Sequence, residues 1–135
     1  MTELTPKDLF LESLERCAAD DAFIPAFYER FLSSSDEVRF KFRNTDFERQ
    51  NKMLLQSLRL SAGATAGNPD SLRELKERAE THSSVNLNIR PELYDLWLTA
   101  VIETAGSFDP QWDETTEDAW RSILGHVIHH MIRYY

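Results

Sequence analysis

The chain has 135 residues, of which 41% are hydrophobic and 28% charged, a composition typical of one folded, soluble domain. Its formal net charge of −8 at pH 7 argues against nucleic acid as a partner, because phosphate backbones bind concentrated positive charge. A single cysteine excludes an internal disulfide, and no apolar run approaches the roughly 18 residues of a membrane span. The start MTELTPKD also lacks a secretory signal, so we expect one cytoplasmic domain, residues 1–135, without a membrane partner.

Four helices are predicted in the first half of the chain. Thr5 is expected to cap the first of them, with Pro6 at the first helical position. The apolar residues between Phe23 and Leu32 recur at helical spacing and predict the second. Thr45 or Asp46 would cap the fourth helix. The predicted helices run over residues 6 to 18 or 19, 23–32, 37–42 and about 47–62.

Three further helices are predicted in the second half. One longer loop is predicted before the first of them and another before the last. Residues 63–69 (GATAGNP) hold two of the four glycines and read as a flexible connection. The first of the three helices is expected to start at Asp70 or Ser71, and the second at Pro91. A loop over 105–114 follows, and Thr115 or Thr116 is expected to cap the last helix. The last helix carries the most regular apolar stripe of the chain, which is formed by Trp120, Ile123, Leu124, Val127, Ile128, Met131, Ile132 and Tyr135. No stretch alternates with period two, so the sequence predicts an all-α protein with six longer helices and one short one.

Four polar residues interrupt apolar helix faces that should point to the interior: Tyr28, Gln50, His82 and Tyr94. His82 ends a stripe formed by Leu72, Leu75 and Ala79, where a polar ring is unusual. A lone histidine there is most often a core residue satisfied by a carbonyl, but neutral imidazole is also the commonest metal ligand. A hydroxyl, an amide and an imidazole turned toward one interior need a polar partner to share.

The chain resembles a known family from about Phe23 to Tyr134. Its motifs occur in the order FYERFL, DEVRFKF, FERQNKMLLQSL, a helix ending in His82, IRPELYDLW and DAW. This order resembles that of bacterial single-domain globins, the haem domains of flavohaemoglobin-like and sensor-globin-like proteins. The resemblance implies a globin fold, a three-on-three helical sandwich around haem b (iron protoporphyrin IX).

On the proximal side, the resemblance makes His82 the ligand of the haem iron. Tyr94 would line this side near His82, and Ile89 would touch the haem edge. Trp97 would help to keep water from the iron. Arg78, one turn before His82, departs from the family, because an apolar residue usually stands there; either the helix is rotated or the arginine turns to a haem propionate.

On the distal side, the resemblance makes Tyr28 the residue that hydrogen-bonds bound dioxygen. Gln50 would be the second distal residue, with Leu54 as an apolar wall and Phe42 packed on the haem face. A one-residue slip in this match would put Arg49 in place of Gln50. Gln50 is favoured because Arg49 falls off the line of the apolar positions.

These features leave three functional hypotheses. The first is reversible binding of dioxygen or another diatomic gas for storage, delivery or sensing. The second is turnover at the same iron, such as nitric oxide dioxygenation or peroxidase activity, which would need a separate reductase. The third is a haem-free, globin-shaped interaction module. The oligomeric state, monomer or homodimer, stays open.

Overall fold

The computed structural model describes residues 4–65, 67–82 and 89–133, apart from the side chains of residues 65, 75 and 79. The corner over residues 83–88 and the last position of the final stripe, Tyr135, therefore lie outside the described residues. Where the chain is described, it forms helices and no strand, and none of these helices has the length and apolarity needed to cross a bilayer. The helices are α1 (Pro6–Ala18), α2 (Phe23–Ser33), α3 (Asp36–Lys41), α4 (Phe47–Thr65), α5 (Pro69–His82), α6 (Pro91–Phe108) and α7 (Glu114–Arg133). The predicted all-α class is confirmed.

Short polar side chains start the helices, as expected for backbone N–H groups that have no partner within a helix. The Oγ1 atom of Thr5 accepts a hydrogen bond from the N–H of Asp8 at 3.2 Å, and this reciprocal capping box begins α1 as predicted. Ser35 caps α3 through its side chain alone, with its Oγ atom accepting a hydrogen bond from the N–H of Glu37 at 3.1 Å. These starts depend on neighbours in the sequence and were therefore predictable.

Two helices start slightly before the predicted positions. α5 begins at Pro69 because the side chain of Asn68 accepts hydrogen bonds from the backbone that follows it. α7 begins at Glu114 because Asp113, not a threonine, is the cap: its carboxylate accepts from the N–H of Thr116 at 2.7 Å. In both cases a side chain earlier than the expected one caps the helix.

Two helices also end later than predicted, so the loop that follows each of them is shorter than predicted. α4 ends at Thr65, and not near residue 62, because Ala64 is buried next to Met131 of α7. α6 ends at Phe108, and not near residue 104, because the ring of Phe108 packs edge-on against Phe23 with 5.7 Å between centroids. Tertiary burial thus extends both helices beyond what the local sequence indicates.

A buried polar network joins α1 to the end of α6 and to α7. Ser13 donates to Asp109 at 2.5 Å, and Arg16 forms a two-pronged ion pair with the same carboxylate at 2.6 and 2.9 Å. The indole N–H of Trp120 donates to Ser13 at 2.9 Å, and Trp120 packs on Phe10 in the centre of the core. Burial raises the pKa of Asp109, but its hydrogen bonds with Arg16 and Ser13 outweigh this and hold the pKa below its usual value.

We expect Asp109→Asn to lower the free energy of unfolding at pH 7 by about 2 kcal/mol, because it leaves the Arg16 charge without its buried partner. The native pKa of Asp109 is depressed, so this stabilisation is present above about pH 4 and is lost as the pH falls further. Urea unfolding of both proteins at pH 7 and pH 3.5 measures this. Glu15→Gln, which breaks the exposed ion pair with Arg59, is the control and should cost less than about 1 kcal/mol. An equal effect of the two substitutions would show that the network contributes no special stability.

Candidate functional site

A cavity of about 760 Å³ lies among helices α2 to α7. Its size is in the range of pockets that enclose small molecules and cofactors. The eight residues predicted for the site all line it: Tyr28, Phe42, Gln50, Leu54, His82, Ile89, Tyr94 and Trp97. The tertiary structure therefore brings together side chains that are up to 69 positions apart in the sequence, although their roles toward a cofactor stay predictions.

Aromatic rings form one wall of the cavity. Phe42 lies where α3 turns toward α4, and its ring centroid is 5.7 Å from that of Tyr28, 5.9 Å from Phe31 and 6.0 Å from Phe47. Offset and edge-on ring pairs of this kind are favourable beyond the area they bury. The wall is consequently apolar and held in place from several helices, which suits a flat, apolar ligand.

Tyr28 and Gln50 place two polar groups in this otherwise apolar region. Tyr28 is only 4% exposed, and the Gln50 side chain, which lines the same cavity, acts on its hydroxyl. Burial raises the pKa of Tyr28 to about 12, and the Gln50 side chain opposes this shift without cancelling it. The hydroxyl therefore keeps its proton at neutral pH and can donate a hydrogen bond. Arg49 is exposed, so Gln50 and not Arg49 lines the cavity.

His82 is the imidazole of the cavity and ends α5. Its Nδ1 atom lies 3.3 Å from the hydroxyl of Tyr94, and its backbone carbonyl accepts from the N–H of Ile89 at 3.0 Å. Burial, together with the positive charge of Arg78, lowers the pKa of His82 below its usual value. The ring is thus neutral at pH 7, the form in which histidine coordinates metals.

The edge of the cavity at Ile89 is tied to α3. Arg90, the next residue, donates from Nε to Glu37 at 2.9 Å and also from a terminal nitrogen to the second carboxylate oxygen. Such a two-pronged pair fixes orientation as well as proximity. It holds the start of α6 against the helix that precedes Phe42, and both Ile89 and Phe42 line the cavity.

The inner face of α5 differs from the predicted apolar stripe. Leu72 is 37% exposed, so its expected place on the inner face was wrong, and Ser71 is buried instead. Arg78 lines the cavity together with His82, one turn away. The face accommodates polar residues such as Arg78 because it borders a cavity and not a close-packed core. Leu75 and Ala79 were also predicted for this stripe, and their side chains lie outside the described part of the chain.

Sequence reasoning missed the depth of the cavity. It reaches α7, where Val127, Ile128 and Met131 line it; these belong to the regular stripe that signalled an inward face. Ile132 was also predicted for that stripe, but its side chain is 36% exposed, so it lies at the edge of the inward face of α7. Several polar residues at the cavity had no signal in the sequence, namely Lys41, Thr45, Ser57, Ser61, Glu74, Glu77 and Thr81.

An all-α fold that surrounds an aromatic-lined cavity with a neutral histidine places this chain in the class of helical proteins with an enclosed, histidine-containing cavity. The family model that matches this chain is that of the globins, over residues 25–131. The chain therefore belongs to the globin family, and its predicted globin fold is confirmed. Membership of this family implies a haem cofactor.

A solved structure agrees with this assignment. The chain is similar to protein PA3967 of Pseudomonas aeruginosa PAO1, whose crystal structure is described as highly homologous to a human haemoglobin. The two share 37% identity and superpose with a TM-score of 0.92, covering 97% of this chain and 98% of the other. No curated protein matches the sequence significantly.

Proposed function

We propose that this protein is a cytoplasmic globin domain that holds haem b and reversibly binds dioxygen or another diatomic gas. One observation carries the proposal: a neutral imidazole, His82, and two further polar side chains, Tyr28 and Gln50, line one aromatic cavity from different helices. A mainly apolar cavity of about 760 Å³ with this donor set fits a haem, which is a large apolar plate that needs a nitrogen ligand.

His82 would hold the iron through Nε2, because its Nδ1 atom lies against Tyr94. In that state Nδ1 would carry the proton and donate a hydrogen bond to the Tyr94 oxygen, which would fix the tautomer and the ring plane. When bound, the haem supplies the iron to which a diatomic gas attaches. Phe42, Leu54 and Trp97 would exclude water from this site.

Tyr28 and Gln50 would determine how long a gas molecule stays. The protonated phenol donates a hydrogen bond, and the amide N–H of Gln50 can donate another. Each bond contributes typically about 1 kcal/mol, and somewhat more in a site from which water is excluded. Dioxygen accepts such bonds well once it carries partial negative charge, so slow release of dioxygen is the expected behaviour.

The absorption spectrum of the purified protein tests this function. We expect a Soret band with one haem per chain, and distinct spectra for the ferrous protein with dioxygen and with carbon monoxide. Failure to take up added haem would contradict the proposal and favour a haem-free interaction module. Nitrate formation from nitric oxide, followed with and without a reductant, would reveal turnover with a separate reductase instead of simple gas binding.

A further inference from the structure

Arg78 places a fixed positive charge in the wall that carries His82. The two residues are four positions apart on α5, so their side chains occupy the same face of the helix, and both line the cavity. The Arg78 side chain is only 26% exposed. A charge in this position interacts with its surroundings more strongly than one in open solvent.

Nearby carboxylates neutralise this charge only in part. The guanidinium of Arg78 lies 3.8 Å from Glu74, at the outer limit of an ion pair, and the Glu74 side chain is 43% exposed. Glu77 and Lys41 also line the cavity, with opposite charges. Arg78 nevertheless lies one helical turn from His82 in the same cavity wall, so its positive charge acts on whatever the cavity holds.

A positive charge in the cavity wall, one helical turn from His82, must disfavour extra positive charge on a metal ion held in the cavity by that residue. Reduction of ferric to ferrous iron adds one electron and removes one unit of positive charge. We propose that Arg78 shifts the iron of this protein toward the ferrous state. The inference rests on the proposed function and deepens it, because ferrous iron is the form that binds dioxygen.

The midpoint potential of the haem-loaded protein, titrated with dithionite in the presence of mediators, tests the inference. We expect Arg78→Met to lower the midpoint by about 59 mV, which for one electron is a tenfold shift from ferrous toward ferric iron. Arg78→Gln should do the same and provides a second neutral variant. Arg78→Lys keeps the charge and should retain at least half of the difference between the wild type and Arg78→Met.

Arg73→Met is the matched control, because it removes the same formal charge from the same helix. Arg73 is 66% exposed, does not line the cavity and pairs with Asp70, so its loss should shift the midpoint by less than a third as much. Equal shifts for Arg73→Met and Arg78→Met would overturn the inference, since only the net charge would then matter.

Two further outcomes separate this inference from the proposed function. An unchanged midpoint in the neutral Arg78 variants, with faster loss of haem to an acceptor apoprotein, would overturn the inference and assign Arg78 to a carboxylate of the cofactor. The function proposed above would still stand. Absence of haem uptake by the wild type would overturn both.

Discussion

His82→Ala is expected to abolish stable haem binding, with at least about a 100-fold loss of affinity. The expectation follows because even the loss of a group that merely orients a metal-bound histidine costs 10- to 100-fold. Haem titration followed at the Soret band, with circular dichroism to verify that the helices persist, measures the effect. Added imidazole should restore part of the ferrous spectrum by entering the space left by the side chain.

His126→Ala is the control for this experiment. His126 is an exposed histidine on α7 that does not line the cavity, so its removal should leave haem affinity and spectrum unchanged. If His82→Ala retained a normal spectrum without added imidazole, the iron would have another ligand. The assignment of His82 would then be wrong even though the chain is a globin.

Tyr28→Phe is expected to speed the dissociation of dioxygen about tenfold, because the variant loses a hydrogen bond in a buried site. The aromatic ring remains, so the packing against Phe42 and Phe47 should persist. Stopped-flow displacement of dioxygen by carbon monoxide measures the rate. Gln50→Leu should also speed dissociation, and the effects of the double variant should be less than additive, because the Gln50 side chain acts on the Tyr28 hydroxyl.

Tyr94→Phe is the matched control, since it removes the hydroxyl of the other tyrosine that lines the cavity. That hydroxyl lies 3.3 Å from the Nδ1 atom of His82, on the side of the cavity assigned to the iron ligand, so the dissociation rate of dioxygen should change less than about threefold. Equal effects of the two tyrosine substitutions, or no effect of Tyr28→Phe, would contradict the distal role of Tyr28.

Local sequence features were sufficient to predict the class of the fold and most helix starts. The capping side chains Thr5 and Ser35 act on backbone groups within three residues, so their effect can be read from the sequence. Helical periodicity likewise indicated the inward faces of α2 and α7. The resemblance to globins then singled out eight residues, and all of them line the cavity.

Tertiary structure decided the features that depend on distant partners. Asp109 lies in a stretch that reads as loop, yet its side chain is buried because Arg16 and Ser13, more than 90 positions away, bind its carboxylate. Leu72 is 37% exposed and its neighbour Ser71 is buried, so the packing of α5 against the other helices, and not its apolar spacing, decided which side of its first turn faces inward.

The sequence by itself determined that this is an all-α protein and which side chains, His82, Tyr28 and Gln50 among them, interrupt its apolar faces. Only the tertiary structure decided that these side chains share one cavity, and that Arg78 lies in its wall with only partial neutralisation by Glu74. The physical reason is that helix formation depends on contacts within a few residues, whereas burial and electrostatic environment depend on how the helices pack.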